Sequence, residues 1–144
     1  MPRLELDAIP VRHGSDYPPP HDQPVAGRVV RLLSKAAGLT DFVVAHGIVP
    51  PGGWSSQRHW HEGEDEFVLV AAGHGVLVDD SGRTPLAPGD CAAFPKGEAN
   101  GHHIVNEGTE PLVLVAISRP ERSPCHYPDL GLVWTPEDDR YRPE

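Results

Sequence analysis

The sequence predicts an all-β single domain, a sandwich or barrel of many short strands. Three observations carry this. First, 15 Gly and 17 Pro are spread through 144 residues. Each costs roughly 1 to 3 kcal/mol inside a helix, which disfavours a bundle or a coiled coil. Second, the hydrophobic 38% of the chain gathers into compact runs rich in Val, Ile and aromatics. Third, turn-forming pairs separate those runs at close spacing. The length suits one domain and is short for two. No internal repeat and no second composition block divides it.

Residues 1–27 read as an extended arm. Pro2, Pro10, Pro18, Pro19, Pro20 and Pro24 oppose regular helix. Leu4, Leu6, Ile9, Val11 and Tyr17 are too apolar for a pure linker, so the arm is expected to lie across the domain or a partner subunit. The barrel is expected over residues 28–120, with a C-terminal extension over 121–144 packing on it. Strands are predicted at 28–33, 41–49, 55–61, 66–71, 75–79, 90–94, 102–106, 112–118 and 130–135. Pro50-Pro51-Gly52-Gly53, Asp80-Ser81-Gly82, Pro88-Gly89 and Glu107-Gly108 supply the turns between them. The only helical signal is one turn at 34–38, stopped by Gly38. Many short strands at this spacing mean a sandwich or a barrel.

Charge removes several functions. Twelve basic residues, ten Arg and two Lys, stand against 21 acidic ones for a net charge of −9. There is no basic stripe for nucleic acid and no attraction to an anionic membrane surface. No apolar run nears the roughly 20 residues of a membrane span. The opening stretch MPRLELDAIPVRHG lacks the apolar core of a secretory signal. Two cysteines, Cys91 and Cys125, make no disulfide framework. A soluble cytoplasmic protein is the expectation.

Nine His in 144 residues invite chemistry, although an H-x-H pair arises by chance at about even odds, so position must decide. On a strand, His59 and His61 point to one face. Their Cα atoms are expected about 6.5 to 7 Å apart, close enough for two imidazoles to converge on one ion. Trp60 points the other way. The polar turn 62–65 returns the chain as a strand beginning at Glu66, whose carboxylate can meet the two imidazoles. Two imidazoles and a carboxylate with open positions suit catalytic Zn or non-haem Fe. A second segment, 88–106, supplies a third imidazole. His102 and His103 are adjacent on a strand and face opposite ways, so only one can join.

These residues resemble the two motifs of the cupin family. Gly53, His59, His61, Glu66 and Gly73 fit the first, G-x5-H-x-H-x4-E-x6-G. Gly89, Pro95, Gly97, His102 and Asn106 fit the second, except that four residues rather than two separate Gly97 from His102. His102 keeps the x3-Asn spacing and His103 does not. The finer wording, such as Trp-Ser-Ser-Gln-Arg-His-Trp-His and His-Tyr-Pro-Asp, is similar to small bacterial single-domain cupins of unsettled activity. The resemblance implies a jelly-roll β-barrel, a homodimer, and one divalent metal ion per chain held by His59, His61, Glu66 and His102. Zn, Mn, Fe and Ni are the ions to consider. A six-coordinate ion with these four ligands keeps one or two positions for water or substrate. The ion would polarise a chelating oxygen acid or hydroxy-carbonyl, so a small oxygen-rich molecule is the expected partner. An oxygenase, isomerase or lyase is one reading, and a metal-containing binding or sensing module without turnover is the other.

The remaining residues carry weaker expectations. Gln57 shares a face with His59 and His61, to bond a ligand or to support an imidazole. Asn106 is expected to orient or pack. His46, on the face of Phe42, Val44 and Ile48, reads as a satisfied interior His. His74 reads as an exposed turn residue, and His126 and Tyr127 as a cap on the pocket mouth or the dimer edge. Cys91, beside Ala92 and Ala93, reads as small buried packing. Glu62, Glu64 and Asp65 read as a solvated turn, with Asp65 the fallback carboxylate. Trp54 and Phe94 read as core, with lining the cavity as the alternative.

Overall fold

The computed structural model describes residues 2–144. In chain order the strands are β1 (Arg12–His13), β2 (Val29–Leu32), β3 (Val43–Val49), β4 (Trp60–His61) and β5 (Glu66–Ala72). Then follow β6 (Gly75–Asp79), β7 (Gly82–Leu86), β8 (Cys91–Phe94), β9 (His103–Val105) and β10 (Leu112–Ser118). The chain closes with β11 (Cys125–Tyr127), β12 (Leu132–Thr135) and β13 (Arg140–Pro143). One α-helical turn, α1 (Leu33–Ala36), falls where the sequence placed it. The sheets are antiparallel, in the orders β1-β2-β3-β10-β5-β8, β13-β12-β11-β4 and β7-β6-β9.

Alternation explains the six-stranded sheet. β10 pairs with β3 along its full length, from Leu112↔Val49 to Ser118↔Val43. It also pairs with β5, where Ser118 stands opposite Glu66 and Ala116 opposite Val68. Odd and even positions therefore go to opposite faces. Inward, Val49, Val70, Leu112 and Leu114 join Leu86 and Ile104 in one core. Leu112, Val49 and Val70 are at most 1% exposed. Removing this much apolar surface from water is what holds a chain with so little helix together. Outward, Ile117 lies opposite Phe67 and Val44, and both Phe67 and Ile117 are exposed.

The predicted strand over 55–61 is corrected. That segment is mostly bends, tied by bridges at Trp54↔Val105 and His59↔His102, and only Trp60–His61 runs as a strand. Ser55 explains part of the departure. Its hydroxyl accepts the Ile104 N–H at 2.9 Å, a place a ladder carbonyl would normally take. Four strands had no strong sequence signal: β1, β7, β11 and β13. β7 carries Pro85, which an edge strand tolerates. Among its described residues the arm has no α-helix, only 3-10 turns at Leu6–Ala8 and Gln23–Val25, and β1 joins the edge of the large sheet beside β2.

The end of the chain is woven into the site region. β11 pairs with β4, with Cys125 opposite His61 and His126 opposite Trp60. Tyr17 from the arm, Val25, Cys125 and Tyr127 form a second core, against which Trp54, Trp134 and Tyr141 pack. His126 stacks on Trp60 with ring planes 12° apart. Its two ring nitrogens meet Glu62 at 2.7 Å and Glu144 at 2.5 Å, so it pins the terminus rather than capping a pocket.

Gly73 sets the turn from β5 to β6. Its φ is +74°, and a Cβ there would lie 2.2 Å from the Pro111 carbonyl oxygen. Both the left-handed backbone and the contact demand glycine. Gly73→Ala should lower the unfolding free energy by about 2 to 4 kcal/mol in urea titration, well beyond an ordinary surface change.

Candidate metal centre

Three chain segments converge on Glu66. His59 and His102 face each other as a two-way bridge, His59 N–H to His102 C=O at 3.2 Å and the reverse at 3.0 Å. His61 follows on β4, and Glu66 opens β5. The Nε2 atoms of His59, His61 and His102 lie 3.3, 2.6 and 2.6 Å from the Glu66 carboxylate oxygens. Gly97, with φ +75°, gives its N–H to the His61 carbonyl at 2.9 Å, tying the second segment to the first.

The His59 and His102 rings are held by backbone. His59 Nδ1–H donates to the Gln57 carbonyl at 2.9 Å, and His102 Nδ1–H donates to the Asn100 carbonyl at 3.0 Å. Those bonds leave Nε2 of each neutral imidazole with its lone pair directed at Glu66. Lone pairs facing anionic oxygens repel unless positive charge lies among them. One proton serves one contact, and three imidazoliums would bury an excess of positive charge. The nitrogens and the carboxylate together are the donor set that a divalent cation satisfies at once. Burial opposes a charged His59, yet the facing Glu66 holds it above its ordinary range. Burial likewise opposes charge on Glu66, and the three imidazoles hold its carboxyl far below the usual carboxylate range.

Among the other residues, His103, Asn106 and His74 stand as the sequence put them. His103 goes to the opposite face, its Nδ1 2.9 Å from the Ser56 carbonyl and its ring edge-on to Trp54. Burial depresses its pKa. Gln57 contributes its carbonyl, while its side chain donates to His21 C=O at 2.8 Å. Phe94 is not simple core: it stacks on His102 with centroids 3.5 Å apart. Asn106, 1% exposed, donates to the Val49 and Glu110 carbonyls and is structural. His74 is exposed, as expected.

The expectations for Glu64, Cys91 and His46 are overturned. Glu64 is no solvated turn residue, being 2% exposed. It accepts the Arg122 N–H at 2.6 Å and the Ser123 hydroxyl at 2.5 Å, and lies 3.7 Å from His61 Nδ1. Asp65 is exposed and accepts the Lys96 N–H, away from the site. Cys91 is exposed, because register puts it opposite Leu69 on the outer sheet face. His46 lies on that same outer face, opposite Arg31 and Val115, with a buried Nδ1 that has no partner.

Cys125 and Tyr127 reach the site through the β11–β4 pairing. The Cys125 sulfur lies within 4.8 Å of ligand atoms of His59 and His61, and burial pushes its thiol up. Tyr127 packs its ring 5.9 Å from that of His59. No local motif marks either residue. A cavity of about 680 Å³ opens over the cluster, bounded also by Arg28, Tyr17, Glu121 and Tyr141.

Residues 45–118 match the family model described as a cupin domain. The chain belongs to the cupin family. Its fold is accordingly the cupin jelly roll, closed here by the arm and by β11–β13. A crystal structure described as a sugar phosphate isomerase from a cupin superfamily, from Silicibacter pomeroyi, is 38% identical. It superposes over 99% of this cupin and 93% of that chain with a TM-score of 0.95. The oxalate-binding protein of Thermotoga maritima is 36% identical over 89 residues, 62% of this chain and 72% of that protein. A polyketide cyclase from Streptomyces resistomycificus, 22% identical with a TM-score of 0.67 over 88% of this chain and 84% of that one, shares the fold.

Glu64 supports the loop that leads from His61 to Glu66. Glu64→Leu should cost about 1 to 3 kcal/mol, by stranding the Arg122 N–H and the Ser123 hydroxyl. Thermal unfolding of the variant beside wild type measures it.

Proposed function

We propose that this cupin holds one divalent metal ion through His59, His61, Glu66 and His102 and isomerises a small acidic hydroxy-carbonyl compound. The observation that carries the proposal is the convergence of three Nε2 atoms on one carboxylate at 2.6 to 3.3 Å. Likeness to the Silicibacter pomeroyi protein over nearly the whole chain favours isomerisation over the oxygenase and lyase chemistries of comparable sites. The ion would polarise a chelating oxygen of the substrate. The chain's own residues do the rest. The Gln57 and Asn100 carbonyls keep the His59 and His102 rings turned with Nε2 inward. Phe94 stacks on His102 and keeps it from rotating. Glu121, which lines the cavity, is assigned to move the proton between substrate carbons.

Elemental analysis tests the metal assignment. Wild type should carry about one divalent ion per chain, and the His59→Ala/His61→Ala double variant should carry almost none. Equal metal content in the two would refute the ligand set. Glu121→Gln should keep the metal and lose roughly 100-fold or more in isomerisation of a sugar phosphate.

A second reading has its own support. Likeness to the oxalate-binding protein favours a metal-containing binding module that captures a small dicarboxylate without turnover. Oxalate retained unchanged, with no isomerisation of sugar phosphates, would select it.

The homodimer reading places a second copy on the outer face of the large sheet. Val44, Phe67, Leu69, Val115 and Ile117 form adjoining rows there, and no acidic residue lies among them. For a chain of net charge −9, that face lets two copies meet without opposing carboxylates. Phe67→Glu should turn a dimer into a monomer in sedimentation velocity, with the metal content unchanged.

A further inference from the structure

The cavity has a second charged end that the metal reading leaves unused. Arg28 stands just before β2 and lines the cavity together with Tyr17 and Tyr127. Nη1 donates to the Ser55 carbonyl at 2.6 Å and Nη2 to the Gly14 carbonyl at 2.8 Å. These neutral partners hold the guanidinium in place without neutralising it. Nε is buried with no partner, and among the described residues Arg28 forms no ion pair. Five arginines, Arg3, Arg12, Arg58, Arg83 and Arg142, pair with carboxylates and show what is missing here. Arg12, which also lines the cavity, spends its charge on Asp16.

The groups beside Arg28 are phenol donors, while the cavity's carboxylates Asp16, Glu66, Glu121 and Asp139 form no ion pair with it. The Tyr17 hydroxyl accepts the Gln57 N–H at 3.3 Å and so keeps its own proton to give. Burial raises Tyr17, Tyr127 and Tyr141 above the ordinary phenol range, Tyr141 to about 12, so all three stay protonated. A half-buried cation without a counter-ion is costly, and a structure keeps one where a ligand supplies the missing charge. A guanidinium suits an oxyanion, either phosphate or carboxylate, through paired N–H bonds.

We infer that Arg28, with the Tyr17 hydroxyl, binds the oxyanion end of a small-molecule ligand whose oxygen-rich end faces Glu66 and its three imidazoles. The inference refines the substrate class of the proposed function and rests on that cavity being a small-molecule site. It requires a two-ended ligand, an acid or phosphate ester at one end and hydroxyl or carbonyl oxygens at the other. Oxyanion binding at Arg28 does not itself need the metal, so the two ideas fail separately.

The experiment titrates inorganic phosphate, and separately acetate, into 15N-labelled His59→Ala/His61→Ala protein. That variant removes metal-bound phosphate as a source of signal. The Arg28 Nε–H resonance, assigned by its absence from the Arg28→Lys spectrum, is followed by NMR. Saturable movement of that resonance with either anion supports the inference, and the stronger anion tells phosphate from carboxylate. An unmoved resonance with both anions overturns it. Calorimetry on metal-loaded protein gives a second measure: Arg28→Gln should weaken the stronger anion by roughly 10- to 100-fold while metal content stays at the wild-type level. Unchanged affinity in a folded Arg28→Gln protein would also overturn it.

Discussion

Three imidazoles press on one carboxylate, and the layout of this cupin answers to that contact. Glu66 can sit there only because β5 begins where it does, opposite Ser118 of β10. His59 and His102 can face each other only because their backbones bridge in both directions. His61 is placed by β11 on one side and by the Gly97 N–H on its carbonyl. The backbones of all three histidines are therefore set by main-chain pairing. The carbonyls of Gln57 and Asn100 then decide which nitrogen faces the carboxylate. His61 lacks such a carbonyl: its Nδ1 is buried without a partner, with the Glu64 carboxylate 3.7 Å away.

The sequence revealed the parts of this arrangement that depend on local period. β3, β5, β6 and β10 alternate plainly, and their predicted bounds fall within two residues of the structure. The spacing of His59, His61 and Glu66 gave their shared face, and alternation separated His102 from His103. Where a strand was short or bordered by proline, as β11 is by Pro124 and Pro128, period had nothing to act on. Long-range pairing decided those cases. Cys125 and Tyr127 enter the site because β11 pairs with a strand some sixty residues earlier, which no local pattern announces.

The errors have physical sources too. Glu64 looked like a solvated turn because the turn is polar, but Arg122 and Ser123 fold back over it and supply its hydrogen bonds. Cys91 and His46 looked buried because their neighbours are small or apolar. Alternation gives a face and not its cover, and both residues lie on the outward face of the large sheet. Composition favours burial there, while topology leaves the face to whatever meets it.

The family model covers residues 45–118, and that stretch holds His59, His61, Glu66 and His102. The opposite wall of the cavity comes from elsewhere: Tyr17 and Arg28 from before it, Tyr127 and Tyr141 from after it. Membership of the family therefore speaks to the half of the cavity that would hold an ion, and hardly at all to the half that would select a ligand. The Silicibacter pomeroyi structure superposes on both halves, since it covers 99% of this chain. The Thermotoga maritima relative aligns over 62% of the chain. Chemistry that depends only on the ion can be shared with both. Discrimination among ligands depends on the walls outside residues 45–118, and an unpaired guanidinium in such a wall would separate an anionic ligand from a neutral one by charge before shape is tested.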